Sequence, residues 1–244
     1  SSVIVQRAAG LPFVAVAATS HTNPEARMFG LATSPSSPAR SLADLKGRSL
    51  AVARQTIVDF LADVFLEAAG RPDSFMTRRD IRKIPVRLQM LIAGQVDAAL
   101  FPEPLLSIVE QAGGRVIMDD RGLDMPLAVV ALRAELADAE RVRAFRAALV
   151  RAALAVNADQ ARSRALLLEL RLIPPQLGDS FRMPPVDLDK VPHRLPSREL
   201  FDAYVAWLVK NGVLAEPGGA APPDRPAPPR YEETVWADDA APLP

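Results

Sequence analysis

Hydrophobic positions in the middle of the chain follow two periodicities in turn. A short apolar run at 48–53 precedes apolar residues at helical spacing over 57–68, and this change predicts a buried strand, a tight turn and an amphipathic helix. Gly70 marks the end of that helix. Strand and helix patterns continue to alternate over 81–119, which predicts right-handed crossovers and a parallel sheet in an α/β fold.

The flanking segments follow a different pattern. Residues 11–19 form an apolar, β-branched run that predicts a buried strand ending in the polar loop 20–23. Residues 29–33 and 127–133 each predict a strand, and we expect these two strands to pair. Helical spacing then dominates until Glu216, after which a proline-rich tail is expected to run extended over the surface.

Two polar, turn-like segments divide these elements into two lobes. Proline and serine interrupt the chain at 34–41, and a second polar turn occupies 119–124. We therefore predict a discontinuous lobe 1, composed of residues 1–39 and 124–244, and a continuous lobe 2 at 40–123. The two crossings between the lobes are predicted to act as hinges.

Composition excludes several classes of function. The 244 residues are 49% hydrophobic, so the chain is long enough to bury a large core. Lys and Arg (29) balance Asp and Glu (29), and no global basic field favours nucleic acid or an anionic membrane as a partner. Cysteine is absent, which excludes disulfides, zinc ribbons and thiol nucleophiles. No apolar run approaches the ~20 residues of a membrane-spanning helix.

The turn between the strand at 48–53 and the helix that follows is the first candidate site. A helix that starts at the carboxyl end of a buried strand points its free N–H groups into the crevice where open α/β sheets bind ligands. Thr56 and Asp59 have the spacing of a capping box, so Thr56 is predicted to cap the helix. Gln55 leaves the same turn and can hydrogen-bond a polar ligand group.

Few other residues suggest chemistry. His21 follows a buried strand where α/β proteins place ligand contacts, but it can equally be a hydrogen-bonding surface residue. Glu103, between two prolines, is either a solvated loop charge or a selectivity group. Arg87 is expected to be exposed. No histidine has a metal-ligand partner at suitable spacing and no nucleotide-binding motif occurs, so we expect neither a metal nor a cofactor.

Three stretches resemble the substrate-binding components of nitrate, sulfonate and taurine type ABC transporters. They are SLADLKGRSLAVARQT, IPVRLQMLIAGQVDAALFPEP and AGGRVIMDD. The resemblance implies the two-lobe architecture of type II periplasmic binding proteins. That family begins with a strand, a helix and a second strand before the equivalent of Ser1, so we expect lobe 1 to be incomplete at its N-terminus.

The resemblance also implies where a ligand is held. In that family the ligand lies between the lobes and touches the helix start after the first motif and the loop at the end of the second. The corresponding positions here, together with the end of a lobe 1 strand, are Gln55, Thr56, Ile57, Phe101, Glu103, Thr19, Ser20 and His21.

The function implied is that of a non-enzymatic, monomeric solute receptor without catalytic residues. It would capture a small polar organic ligand in the periplasm, or lipid-anchored at the outer face of the cytoplasmic membrane, and deliver it to an ABC transporter permease. One alternative is an enzyme of pyrimidine or menaquinone precursor synthesis on the same fold. Another alternative is the effector-sensing domain of a transcriptional regulator.

Overall fold

The chain folds into two compact units in a computed structural model that describes residues 2–181, 184–218 and 225–237. Unit 1 comprises Ser1–Thr22, Asp124–Gln160 and Pro185–Pro244, and unit 2 comprises Asn23–Leu123 and Ala161–Pro184. None of the helices in the described residues is long and apolar enough to cross a membrane.

Strands and helices alternate through most of unit 2 and cluster separately in unit 1. The strands are β1 (Phe13–His21), β2 (Phe29–Thr33), β3 (Ser49–Val52), β4 (Thr77–Asp80), β5 (Ala98–Pro102), β6 (Arg115–Asp119) and β7 (Pro126–Arg133). The helices are α1 (Ser2–Ala8), α2 (Ile57–Ala68), α3 (Ile84–Ile92), α4 (Leu105–Gln111), α5 (Ala139–Ala158), α6 (Gln160–Glu169), α7 (Arg198–Lys210) and α8 (Tyr231–Thr234).

Unit 2 is built on a five-stranded sheet with the order β4-β3-β5-β2-β6. Strand β3 is parallel to β4 and β5, whereas β2 is antiparallel to both β5 and β6. Helices α3 and α4 cover the face that carries Ala51, Ala99 and Phe101. The connections from β4 to β5 and from β5 to β6 move along the sheet in one direction, whereas the connection from β3 to β4 moves in the other. Because such connections are right-handed, α2 lies on the face opposite to α3 and α4. The result is a doubly wound α/β sheet.

The predicted pairing of 29–33 with 127–133 is wrong. Strand β2 lies inside the sheet of unit 2, and its residues from Gly30 onward are buried. A Cβ at Gly30 would lie 2.9 Å from the Met118 carbonyl oxygen, so glycine permits the close approach of β6. The chain therefore enters unit 2 after Thr22, and the predicted hinge at 34–41 lies within that unit.

A second departure from the predicted boundaries concerns α6 and the 3-10 helix Pro175–Ser180. Both were assigned to lobe 1, but they belong to unit 2. Ile173, Leu177 and Phe181 form an apolar cluster against Ile108 of α4. This packing is between residues far apart in the sequence, and periodicity alone does not specify it.

The sheet of unit 1 has two strands among the described residues. Strand β1 pairs with β7 in antiparallel register from Phe13 opposite Arg133 to His21 opposite Pro126, with three irregularities. A parallel bridge to Val235 is formed at Ala15, where Trp236 N donates to the Ala15 carbonyl at 3.0 Å. The proline-rich tail is therefore anchored on β1 by the residues around α8.

Glycines at two helix ends provide a test of the predicted stops. Gly70 and Gly94 have φ of 64° and 70°, a conformation that an L-residue adopts at a cost. A Cβ at Gly94 would lie 2.9 Å from the Ser36 hydroxyl, whereas a Cβ at Gly70 would meet nothing within 4 Å. We expect Gly70→Ala to lower the free energy of unfolding by about 1 kcal/mol and Gly94→Ala to lower it further. Urea denaturation midpoints equal to that of the wild type would contradict both assignments.

Asp120 is a buried carboxyl near the end of the five-stranded sheet. Its Oδ1 accepts a hydrogen bond from Met28 N at 2.8 Å, while its Oδ2 has no partner among the described residues. Burial raises the pKa of Asp120 above its ordinary value of 3.8. The native state therefore holds a proton that the unfolded state releases over the interval between the two pKa values.

That proton predicts a pH dependence of stability. Because the native state binds more protons in this interval, the contribution of Asp120 to stability falls as the pH rises through it and stays low at neutral pH. Asp120→Asn keeps the acceptor for Met28 and does not ionise. We expect the stability of this variant relative to wild type to increase from pH 4 to pH 7 in parallel denaturation series. A constant difference over that range would show that Asp120 does not titrate in this way.

Candidate functional site

The strand order of unit 2 places a crevice between the carboxyl ends of β3 and β5. These two parallel strands are neighbours, but β3 continues through α2 to β4 on one side and β5 continues through α4 to β6 on the other. Open α/β sheets bind ligands at such a reversal of direction. The residues at this point are the β3–α2 turn and the loop after β5, which are the two segments named from the sequence.

The β3–α2 turn is held by a buried carboxylate. Gln55 is exposed and has a φ of 65°, and its N–H donates to Asp59 Oδ2 at 2.9 Å. The side chain of Asp59 is 0% exposed and its Oδ1 accepts from Arg78 at 2.6 Å. Arg78 also bonds Asp63, and Arg54 Nε lies 3.6 Å from Asp59 Oδ2, so two guanidinium groups compensate the two carboxylates. The acidic residues of α2 therefore face strand β4, not solvent alone.

Thr56 occupies the N-cap position of α2 without capping it through its side chain. Its hydroxyl donates backward to the Ala53 carbonyl at 2.7 Å, and its N–H donates to the same oxygen at 3.3 Å. The predicted capping box is therefore wrong, because Asp59 reaches Gln55 and the hydroxyl turns toward β3. Among the described residues, the N–H groups of Ile57 and Val58 have no acceptor. These two amides, not those of Gln55 and Thr56, are the free donors.

The loop after β5 is held by ion pairs. Glu103 is 15% exposed, and its Oε1 accepts from Arg27 Nε at 2.7 Å. Its Oε2 accepts from the Ser107 hydroxyl at 2.9 Å and the Ser107 N–H at 3.2 Å. Arg27 also bonds Glu110, and chiefly for that reason the pKa of Arg27 is raised. Both carboxylate oxygens of Glu103 are thus occupied, and the residue is neither a solvated charge nor a free acceptor.

Phe101 and Arg87 lie beneath the crevice. Phe101 is fully buried in the core of unit 2, so its side chain is not accessible to a ligand in this conformation. Arg87, expected to be exposed, is 1% exposed and its guanidinium lies 5.1 Å from the centroid of the Phe101 ring. The expectation is wrong because α3 turns this residue toward the sheet.

The remaining residues named from the sequence lie in unit 1, at the end of β1. Thr19 is exposed, Ser20 is half-buried and His21 is buried. The His21 Nδ1 lies 3.2 Å from the Thr22 carbonyl oxygen and 3.8 Å from Asp124 Oδ1. Burial lowers the pKa of His21, with a further lowering from the charge of Lys190, so the ring is neutral at neutral pH.

A charged cluster surrounds Asp124 beside His21, and no sequence motif indicates it. Asp124 accepts from Lys190 at 3.1 Å and from Arg194 at 3.2 Å. Lys190 also lies 3.3 Å from the Thr22 carbonyl oxygen, and the Thr22 hydroxyl accepts from Met125 N. These contacts tie together the residues of unit 1 that flank the two chain crossings, and no local motif marks them.

Metal binding finds no support in the geometry of the described residues. No three His, Cys, Asp or Glu side chains of this part of the chain are grouped as metal ligands. The free donors named at the crevice are the backbone amides of Ile57 and Val58, which suit an electron-rich ligand group and not a cation.

Two compact units, one with a doubly wound sheet and a helix start at its reversal point, have the fold of type II periplasmic solute-binding proteins. The model of the NMT1/THI5-like family matches residues 1–163. The chain belongs to the NMT1/THI5-like family.

Solved structures of solute-binding proteins share this fold. The periplasmic aliphatic sulphonate binding protein SsuA from Escherichia coli is 19% identical with a TM-score of 0.72, over 87% of this chain and 73% of that chain. The alkanesulfonate-binding protein SsuA from Xanthomonas axonopodis pv. citri, bound to MOPS, is 21% identical with a TM-score of 0.69, over 86% and 72% of the two chains.

An enzyme shares the fold as well. The desulfurization enzyme DSZB is 15% identical with a TM-score of 0.55, over 86% of this chain and 75% of that chain. No functionally curated protein sequence matches this chain. The fold alone therefore does not separate a receptor from an enzyme.

The buried carboxylate of the turn provides a prediction about its stability. Asp59→Ala leaves Gln55 N–H without its acceptor and removes the fully buried partner of Arg78, so we expect a loss of about 3 kcal/mol in the free energy of unfolding. Asp63→Ala is the matched control, because it removes a partly exposed partner of the same guanidinium. Chemical denaturation should show a smaller loss for Asp63→Ala. An equal or larger loss would mean that Asp59 does not hold the turn.

Proposed function

We propose that this chain is the solute-binding component of an ABC importer, which captures a small polar organic ligand and delivers it to a permease. The observation that carries the proposal is the pair of free N–H groups at Ile57 and Val58, located at the reversal point of the sheet. Helix starts with free amides bind carboxylate, sulfonate and similar electron-rich groups. Membership of the NMT1/THI5-like family and the fold shared with sulfonate-binding proteins support the same function.

The geometry supports binding more directly than catalysis. Glu103 is engaged by Arg27 and Ser107, so it is not available as a general base. His21 is neutral and its Nδ1 faces the Thr22 carbonyl oxygen, which leaves it suited to hydrogen bonding with a ligand. Thr19 and Ser20 add hydroxyl groups at the end of β1. We propose these three residues as contacts supplied by unit 1.

The proposed cellular location follows from the proposed role in an ABC importer. We propose that the protein works as a monomer at the outer face of the cytoplasmic membrane, in the periplasm or held by a lipid anchor. Uptake of the identified ligand by cells that carry or lack the gene would test delivery to a permease. Uptake that is independent of the gene would contradict the transport role.

Ile57→Pro tests the ligand contact with little disturbance of the fold. Ile57 is the first residue of α2, where proline is tolerated and removes only an N–H that has no acceptor in the described structure. Thr56 before it is extended, with φ of −111° and ψ of 179°, as a residue before proline requires. A hydrogen bond to a charged group contributes about 1.5 to 3 kcal/mol, so we expect affinity to fall by about ten-fold or more.

The measurement uses a ligand found by thermal-shift screening of carboxylates, sulfonates, amines and amino acids, followed by calorimetry. Ile57→Val is the control, because it keeps the N–H and changes the side chain only. Ser20→Ala tests unit 1 in the same titration. Unchanged affinity in Ile57→Pro, with the denaturation midpoint also unchanged, would contradict the contact at the helix start.

A further inference from the structure

Arg87 is a buried cation in unit 2 with no hydrogen bond to a carboxylate of the described residues. Its NH1 donates to the Ile81 carbonyl oxygen at 2.8 Å, and its Nε has no hydrogen-bond partner in the described part of the chain. The guanidinium contacts the face of Phe101, which is a weak compensation for a charge removed from water. Burial accordingly lowers the pKa of Arg87, although an arginine stays protonated.

Asp80, the carboxylate whose charge acts on Arg87, already accepts hydrogen bonds from other residues. Asp80 attracts the guanidinium through space without a hydrogen bond to it. Its Oδ1 accepts from Arg54 N at 2.9 Å and its Oδ2 accepts from Arg82 at 3.2 Å. Asp80 is also exposed to solvent, which screens its charge. Arg87 is therefore left with a positive charge that extends its field beyond the core.

The guanidinium of Arg87 lies close to the crevice, so its electrostatic field acts there. Ile81, which accepts from Arg87, itself donates to the carbonyl of Val52, the last residue of β3. Phe101 lies one residue before the end of β5. The guanidinium thus lies against the carboxyl ends of the two strands between which the sheet reverses its direction.

We propose that Arg87 makes the crevice of unit 2 selective for anionic solutes by placing an uncompensated charge beneath it. The inference rests on the proposed function and adds the charge class of the ligand. Arg87 acts through its field and is a specificity-determining residue that does not touch the solute. A unit charge about 10 Å away, at an effective dielectric of about 20, changes affinity by roughly ten-fold.

A purely structural role predicts a different result. If Arg87 served only to bond Ile81 and to pack on Phe101, its loss would weaken the fold and would affect charged and neutral solutes alike. Replacement of a buried, unbalanced charge by an apolar side chain of similar length is often neutral or stabilising. The ratio of affinities for an anion and its neutral isostere therefore distinguishes the two roles.

The experiment measures two such pairs by calorimetry, butane-1-sulfonate against butane-1-sulfonamide and butanoate against butanamide. We expect the wild type to prefer each anion, Arg87→Met to reduce the preference by roughly ten-fold, and Arg87→Lys to keep most of it. Arg143→Met is the matched control, because Arg143 is exposed on α5 and its loss changes the net charge equally. The Arg87 effect should persist in 0.5 M salt, which screens exposed charges more than buried ones.

Three outcomes would overturn the inference. They are a preference in Arg87→Met equal to that of the wild type, an equal weakening of both members of a pair, and a wild type that does not prefer the anions. If the protein binds neutral solutes of the screen but no anion, the inference fails and the proposed function stands. If it binds no solute of the screen, both fail. Where Arg87→Met does not fold, Arg87→Lys and Arg87→Gln are compared by the same ratio.

Discussion

The ion pair between Asp59 and Arg78 is the interaction on which the candidate site depends. A carboxylate with 0% exposure is tolerated because the Arg78 guanidinium lies 2.6 Å away, with Arg54 Nε at 3.6 Å on the other oxygen. Once Asp59 is fixed by that pair, its second oxygen is directed at Gln55 N–H and holds this residue at a positive φ. The strained turn then brings α2 out of β3 with two amides unbonded. A buried charge, and not a helix cap, sets the geometry of the crevice.

The strand order adds a second constraint. Because β2 runs antiparallel to β5, with Phe29 opposite Pro102, the start of β2 lies at the same edge of the sheet as the end of β5. The residues just before β2 therefore reach the loop after β5, and Arg27 meets Glu103 there. The same edge receives the end of β3 through its parallel pairing with β5. The position of β2 between β5 and β6 thus determines which charged residues surround the crevice and which of them are paired.

Local periodicity was sufficient for most of the helices and strands but not for their partners. The α2 helix and its stop at Gly70 follow from residues within one or two turns of each other. The place of β2 does not, because its apolar run suits either sheet and the choice depends on strands about 70 and 85 residues later. Boundaries of the two units were misplaced for the same reason. The two segments at the reversal point of the sheet could be named from the sequence, since this requires only that a helix follow the end of a parallel strand, and their role in binding stays a prediction.

The charges at the site were harder to predict than its position, because a residue's own type does not reveal its burial or its partner. Glu103, rigid between two prolines, reads as a negative group facing a ligand, yet Arg27, 76 positions earlier, occupies it. Arg87, on a short helix with a polar face, reads as solvated, yet it lies in the core and no carboxylate of the described residues accepts a hydrogen bond from it. The structure of both residues makes the local charge more positive than the sequence suggests. The carboxylate of Glu103 is bonded within the protein and the Arg87 guanidinium has no described carboxylate bonded to it, and the proposed preference for an anion rests on this difference.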